Sequence, residues 1–198
     1  MRTLEEAALD ASTCTRCRLS QGRTQVVYGV GDPDADLMFI GEAPGFHEDK
    51  QGEPFVGAAG QLLNQLLAEI DVPRDDVYIN NTVNCRPPGN RDPLPDELEA
   101  CKPWLDERVA LIDPAVVVTL GNWATRYILG KQVSISRVRG QRFPWSGRTV
   151  IPTFHPAAVL HGGGQASNQM TALRADFQEI RRALAERPQP AEEQLGLF

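Results

Sequence analysis

The chain has 198 residues, 41% of them hydrophobic, enough to bury one sizeable core, and nothing in its composition asks for a second domain. The opening MRTLEEAALDAS carries no apolar leader core and no run nears the roughly 20 apolar residues of a membrane span, so a cytosolic, cytoplasmic protein with no membrane partner is expected. The formal net charge of −6 speaks against a polyanionic partner, yet 21 of the 26 acidic residues lie at or before Asp113. Positions 114–175 hold seven basic residues, Arg137, Arg139 and Arg142 among them, and no acidic one. Local sign, rather than the sum, decides whether phosphate can be met.

In chain order, the first feature is a close cysteine pair, Cys14 and Cys17, in CTRC. The apolar run DLMFIG (36–41) reads as a buried strand and ends on GEAPG, where a parallel sheet presents its carboxyl edge. AAGQLLNQLLAEI (58–70) has a helical pattern, VYINN (77–81) is the second strand, and Cys85 follows it. PDELEACKPWLDERVALI (95–112) is a helix carrying Cys101, AVVVTLG (115–121) a strand, and NWATRYILG (122–130) a helix. TVIPTF (149–154) is the last strand, running into HPAA, and MTALRADFQEIRRALAER (170–187) closes the domain as a helix. Strands alternating with helices predict an α/β fold of three layers, a parallel sheet covered on both faces. The composition then shifts to PQPAEEQLGLF, which divides the chain into one domain (1–187) and a flexible tail (188–198).

Four cysteines in a cytosolic chain argue for a metal site rather than disulfides. Cys14, Cys17, Cys85 and Cys101 supply the four thiolates that a tetrahedral zinc or a cubane cluster needs, and spacing alone leaves both open. Either would staple the N-terminal arm to the body, a structural role.

Glu42, Phe55, Asn81 and His155 fall at or shortly beyond predicted strand ends, where open α/β sheets gather ligands. Each has an ordinary explanation taken singly: a cap, a core residue, a turn, a loop histidine. Together they suit a nucleobase. An aromatic face stacks on a flat ring, a side-chain amide offers both a donor and an acceptor to its edge, and a histidine can stabilise a departing anion.

GEAPG, EDKQGEPFVGAAGQLLNQLL, VYINNTVNCRPPGNRDPLPDE and HPAA, in this order and with the cysteines at these places, resemble the family 4 uracil-DNA glycosylases, the iron–sulfur branch of their superfamily. The resemblance runs from about Cys14 to about Leu160. It implies a four-stranded parallel sheet between helices, a structural 4Fe-4S cluster on Cys14, Cys17, Cys85 and Cys101, and hydrolysis of the N-glycosidic bond to uracil in DNA. Gly41, Glu42 and Ala43 would line the uracil pocket, Phe55 would stack on the base, and Asn81 would hydrogen-bond its edge. His155 would face O2, where charge develops, and Glu48 would stand beside C5, where it excludes the methyl of thymine.

Better-known branches place an aspartate or asparagine where Ala43 stands. The resemblance therefore implies a dissociative reaction in which the bond to uracil breaks first, helped by neutral His155, and water held by Glu42 or its backbone adds afterwards. No lysine stands in these motifs, so no lyase step is expected. Uracil-containing DNA is the implied partner and the protein is expected to act as a monomer. Val159 or Leu160 would fill the space left by the flipped base, and the segment 131–148, with Arg137, Arg139 and Arg142, would grip the flanking phosphates. Phe46, His47 and the stretch VLHGGGQ depart from the family pattern. A rival reading is a non-catalytic nucleic-acid module that only senses bases.

The tail ends on QLGLF, which resembles the Gln-Leu-x-Leu-Phe motif by which bacterial replication and repair proteins bind the β sliding clamp. Leu197 and Phe198 would be the anchors, with Gln194 as a polar latch and Leu195 beside it.

Overall fold

A computed structural model describes residues 2–186. The tail residues Gln194, Leu195, Leu197 and Phe198 lie outside the described residues, and so do the outer limits of the expected domain.

A single twisted sheet organises the chain. Its central strands are β2 (Leu37–Gly41), β3 (Tyr78–Asn81), β4 (Val116–Leu120) and β6 (Arg148–Thr153), and they run parallel in the order β3-β2-β4-β6. These are the four apolar runs of the sequence, each within a residue or two of its expected limits. The expectation of a four-stranded sheet needs one correction: among the described residues the sheet has six strands. β1 (Val30–Gly31) pairs antiparallel with β3 at one margin, and β5 (Phe143–Trp145) pairs antiparallel with β6 at the other. The sheet is thus mixed, with a parallel centre and antiparallel edges.

Strand alternation sends successive side chains to opposite faces, and the two halves of the core follow from it. Leu37 and Phe39 face a cluster with Leu62, Leu63, Leu66 and Leu67 of α3 (Ala58–Glu69), Val159 of α7 (Pro156–His161) and Phe177 and Ile180 of α8 (Asn168–Ala185). Met38 and Ile40 face Leu105, Val109 and Ile112 of α4 (Pro95–Ile112) and Ala124 and Ile128 of α5 (Gly121–Leu129), which the short α6 (Ile135–Val138) follows. Both faces of the sheet are covered, as near-continuous apolar strands require. A third cluster joins Ala7 and Ala11 of α1 (Leu4–Ser12) to Leu19, Tyr28, Val83, Cys85, Cys101 and Trp104, which docks the N-terminal arm on the body.

β2 pairs with β3 on one side and with β4 on the other, so the strand order reverses there. Open α/β sheets bind ligands in the crevice beyond the carboxyl ends of the strands at such a switch point. GEAPG leaves β2 into this crevice, followed by the short helix α2 (Phe46–Gln51). Asn81 ends β3 beside it, and His155 follows β6 to cap α7.

Candidate active site and cysteine cage

The crevice is a cleft of about 420 Å³ lined by Glu42, Ala43, Pro44, Gly45, Glu48, Phe55, Ala59, Asn81, Pro87, Asn90, Arg91, His155, Ala157 and His161. Six of the seven residues expected around a base are on its walls. Gly41, the seventh, forms the floor: a Cβ there would stand 2.4 Å from Asn81 Oδ1 and 2.8 Å from the Phe55 ring, so only glycine leaves room for both.

The backbone brings these groups together. Thr82 N–H donates to the Gly41 carbonyl at 3.0 Å and Thr82 Oγ1 to the Glu42 carbonyl at 2.6 Å, which ties the exits of β2 and β3 side by side. Asn81 is buried, and among the described residues no group bonds to its amide, so both halves remain for a ligand. Phe55 holds a left-handed backbone at φ +56°, unusual for a bulky residue. Three restraints fix it. Gly60 approaches so closely that a Cβ would stand 1.6 Å from the Phe55 carbonyl oxygen. Arg74 donates to the Pro54 carbonyl at 2.9 Å. Glu48 Oε1 accepts from Val56 N–H at 3.1 Å and Gly57 N–H at 3.3 Å.

The Phe55 ring stacks on the His155 imidazole, with centroids 5.6 Å apart and planes at 26°. His155 Nδ1 accepts from the Ala157 N–H at 3.1 Å, so the ring carries its proton on Nε2 and keeps that N–H as its free donor. Burial lowers its pKa to about 4, against a small opposing pull from Glu48. The imidazole is therefore neutral at physiological pH. Glu42 is shifted the other way: burial, and then the charge and hydrogen bond of Asp92, raise its carboxyl to about 7. One group is a neutral donor, the other a carboxyl balanced between its two forms.

Asp92, Arg91, Asn90, Pro87 and His161 escaped the reading of single residues. All but His161 sit in the stretch RPPGNRDP after β3, whose Pro-Pro-Gly-Asn run marks a turn. That turn folds back over the cleft, held by Arg91, which makes two bonds of 2.8 and 2.6 Å to the fully buried carboxylate of Glu97.

The expected DNA-contacting residues fall elsewhere. Val159 is fully buried in the α3–α8 core and Leu160 packs against the same cluster, so Val159 is withdrawn as a wedge and Leu160 is only partly free. Arg139 is tied to Asp176 at 2.5 Å, and Arg142 to Glu179 at 2.6 Å and to Glu186. Arg148 pairs with Asp113 and Arg174 with Glu69 at 2.9 Å. The run of basic residues is thus largely neutralised by carboxylates remote in sequence, and Arg137 alone of the three named arginines stays exposed without an ion pair among the described residues.

The four cysteines line one small cavity between the arm and α4, together with Ala11, Val26, Asn84 and Trp104. Among the described residues no three ligand-type side chains close on one point where a single ion would sit. Three of the sulfurs receive hydrogen bonds: Cys14 from Trp104 Nε1 at 3.3 Å, Cys101 from Asn84 N–H at 3.3 Å and Cys85 from Arg23 at 3.4 Å. Burial raises the thiol of Cys85 to about 11 and also raises that of Cys101. Behind the cage lies Arg108, fully buried, which donates to the carbonyl of Tyr28, to Asn84 Oδ1 at 2.7 Å and to the Asn81 carbonyl at 3.2 Å. One side chain thereby links the arm, the cage and the end of β3.

A doubly covered sheet with its cleft at the switch point, walled by an aromatic ring, an open amide and a neutral histidine, defines an α/β protein of the ligand-binding, open-sheet class. Residues 28–184 match the model of the uracil DNA glycosylase superfamily, and the chain belongs to that family. It is 46% identical over 190 residues to the type-4 uracil-DNA glycosylase of Sulfurisphaera tokodaii, covering 91% of this chain and 84% of the relative. It is also 50% identical over 149 residues to the type-4 enzyme of Thermotoga maritima (74% and 78% covered). The type-4 enzyme of Archaeoglobus fulgidus is 44% identical over 169 residues (81% and 85% covered).

Proposed function

We propose that this chain is a monofunctional uracil-DNA glycosylase that extrudes uracil from DNA into the cleft and hydrolyses its N-glycosidic bond in base excision repair. The observation that carries the reading is the His155 imidazole, neutral, stacked on Phe55 and fixed by the Ala157 N–H so that Nε2–H is its donor. A donor fixed before reaction stabilises negative charge on a leaving base without reorganising. Asn81 accepts from N3–H and donates to O4 of uracil. Cytosine reverses that pattern and leaves buried polar groups unpaired, at roughly 1 to 3 kcal/mol each. Glu48 at the cleft wall supports exclusion of a 5-methyl group. Glu42, as its carboxylate, steadies the cationic sugar and holds the water that adds to it. The test is incubation with a uracil-containing oligonucleotide followed by alkali. Strand cleavage at uracil, and none at cytosine or thymine, is expected; binding without cleavage would leave the base-sensing module.

For the cysteines we propose a 4Fe-4S cluster. A zinc ion draws its ligands to about 2.3 Å of one point, whereas a cubane takes one thiolate per iron and keeps them apart around a void. The shared cavity and the N–H donors aimed at the sulfurs support the second arrangement. Bound there, the cluster supplies a covalent staple between arm and body. The chain's own contribution is four thiols facing one cavity, Cys85 and Cys101 buried and Cys14 and Cys17 half-buried, with Trp104 and Ala11 beside them. Brown protein absorbing near ~400 nm is expected; colourless, zinc-loaded and fully active protein would end the assignment.

The C-terminal QLGLF is proposed as a sliding-clamp peptide that acts in the cytoplasm on newly copied DNA. Full-length protein should bind the clamp at about micromolar strength, and a chain ending at Glu193 should not. Equal binding by the two would end the idea.

A further inference from the structure

Phe46 begins α2 and is 48% exposed, the most exposed Phe, Tyr or Trp among the described residues. Arg86 lies over it at 5.1 Å from the ring centroid, Lys50 at 5.8 Å, and His47 meets it edge-on at 5.4 Å. Neither Lys50 nor Arg86 is ion-paired among the described residues, in contrast to the arginines of 139–174. The group stands on the rim of the cleft. Gly45 before Phe46 and Pro87 after Arg86 are both wall residues, and Arg86 Nε donates to Asn90 Oδ1 at 2.7 Å, another wall residue.

An exposed ring with two unneutralised cations has the composition of a single-strand platform: the ring stacks on any base, and the cations meet the phosphates on either side. We propose that Phe46, with Lys50 and Arg86, receives the nucleobase that neighbours the extruded uracil on the same strand. This rests on the glycosylase reading and adds to it a contact outside the pocket. Extrusion breaks the stack of that neighbour, and the rim supplies a replacement face.

The test uses the full chain and single-stranded uracil oligonucleotides with 2-aminopurine placed 5′ or 3′ of the uracil in turn. Binding by the native protein should change the fluorescence at one of the two positions. Phe46→Ala should abolish that change and raise KM about tenfold, the loss of one stacked base, with kcat held within about twofold. Phe46→Tyr should restore both. On an oligonucleotide abasic at both flanking positions, native protein and Phe46→Ala should have the same KM. Equal KM on the ordinary strand, or a fluorescence change that survives Phe46→Ala, would overturn the platform. A native protein that removes no uracil would instead overturn the glycosylase reading, and the fluorescence arm would still decide the platform.

Discussion

The cleft and the cysteine cage both draw on the carboxyl end of β3, Asn81 closing the strand into one and Cys85 entering the other just beyond it, yet they are built by different physics. The cleft is shaped by backbone: a left-handed Phe55, a glycine floor, an imidazole fixed by a main-chain N–H. The Asn81 amide at its edge is left without a partner among the described residues. The cage is shaped by apolar packing of α1, Trp104 and Val83 around sulfur, and its polar groups are directed inward at the thiols. Unpartnered donors and acceptors are tolerable where a ligand will meet them and costly elsewhere. The cleft therefore carries chemistry with little claim on stability, and the cage carries stability with little claim on chemistry.

Substitutions on the two sides should separate cleanly. The largest effect expected is on turnover: His155→Ala should lower kcat by on the order of 10² or more, as loss of an oxyanion donor does, while affinity for uracil DNA holds. Single-turnover rates and direct binding check both, and unchanged turnover would remove His155 from the reaction. On the other side, Cys101→Ser should lower Tm by on the order of 10 °C or more and bleach the protein, because metal-binding free energy is folding free energy. Thermal melts decide it; an unshifted melt would break the contrast. Asn81→Asp should cut the preference for uracil over cytosine by about tenfold or more, read as the ratio of excision rates on matched oligonucleotides.

The smallest expected effect is a pH dependence. Burial and Asp92 raise Glu42 from 4.5 to about 7, so the fold favours its protonated form. Its contribution to stability is complete below 4.5 and is lost as pH rises through about 7, while the carboxylate proposed to act in catalysis gains over the same range. Turnover should therefore rise a few-fold through pH 7 as the melting temperature falls slightly. Glu42→Gln should flatten both curves. His155, with its pKa near 4, adds no inflection there.

Long apolar runs made the four central strands and the helices α3, α4, α5 and α8 readable, because each buries a face that periodicity reports. α2, with the sequence FHEDKQ, has no such face and is held by tertiary bonds such as Thr24 N–H to Asp49 at 2.8 Å. α7 is six residues long, and β1 and β5 are two and three, too short for a pattern. Cleft residues at strand ends were legible for the same reason as the strands. Asp92 and His161 were not, since their roles come from where a turn or a short helix returns. The basic segment misled because the partners of Arg139, Arg142 and Arg148 lie 35 to 44 residues away. A linear charge run says nothing of such closures, and the cations left unneutralised at the rim, Lys50 and Arg86, are scattered singly in the sequence.

The clamped backbone at Phe55 has a consequence in time. A ring whose main chain is held in a sparsely populated region by Gly60, Arg74 and Glu48 is over-determined by its surroundings, so this wall of the cleft is set before DNA arrives. No closure of this wall stands between encounter and reaction. The waiting step in capture then belongs to the nucleic acid, to the interval in which a base leaves its neighbours, and the protein's part is to be ready when it does. Strands in which uracil is already loosely stacked should be emptied first, in the order of their own opening rates.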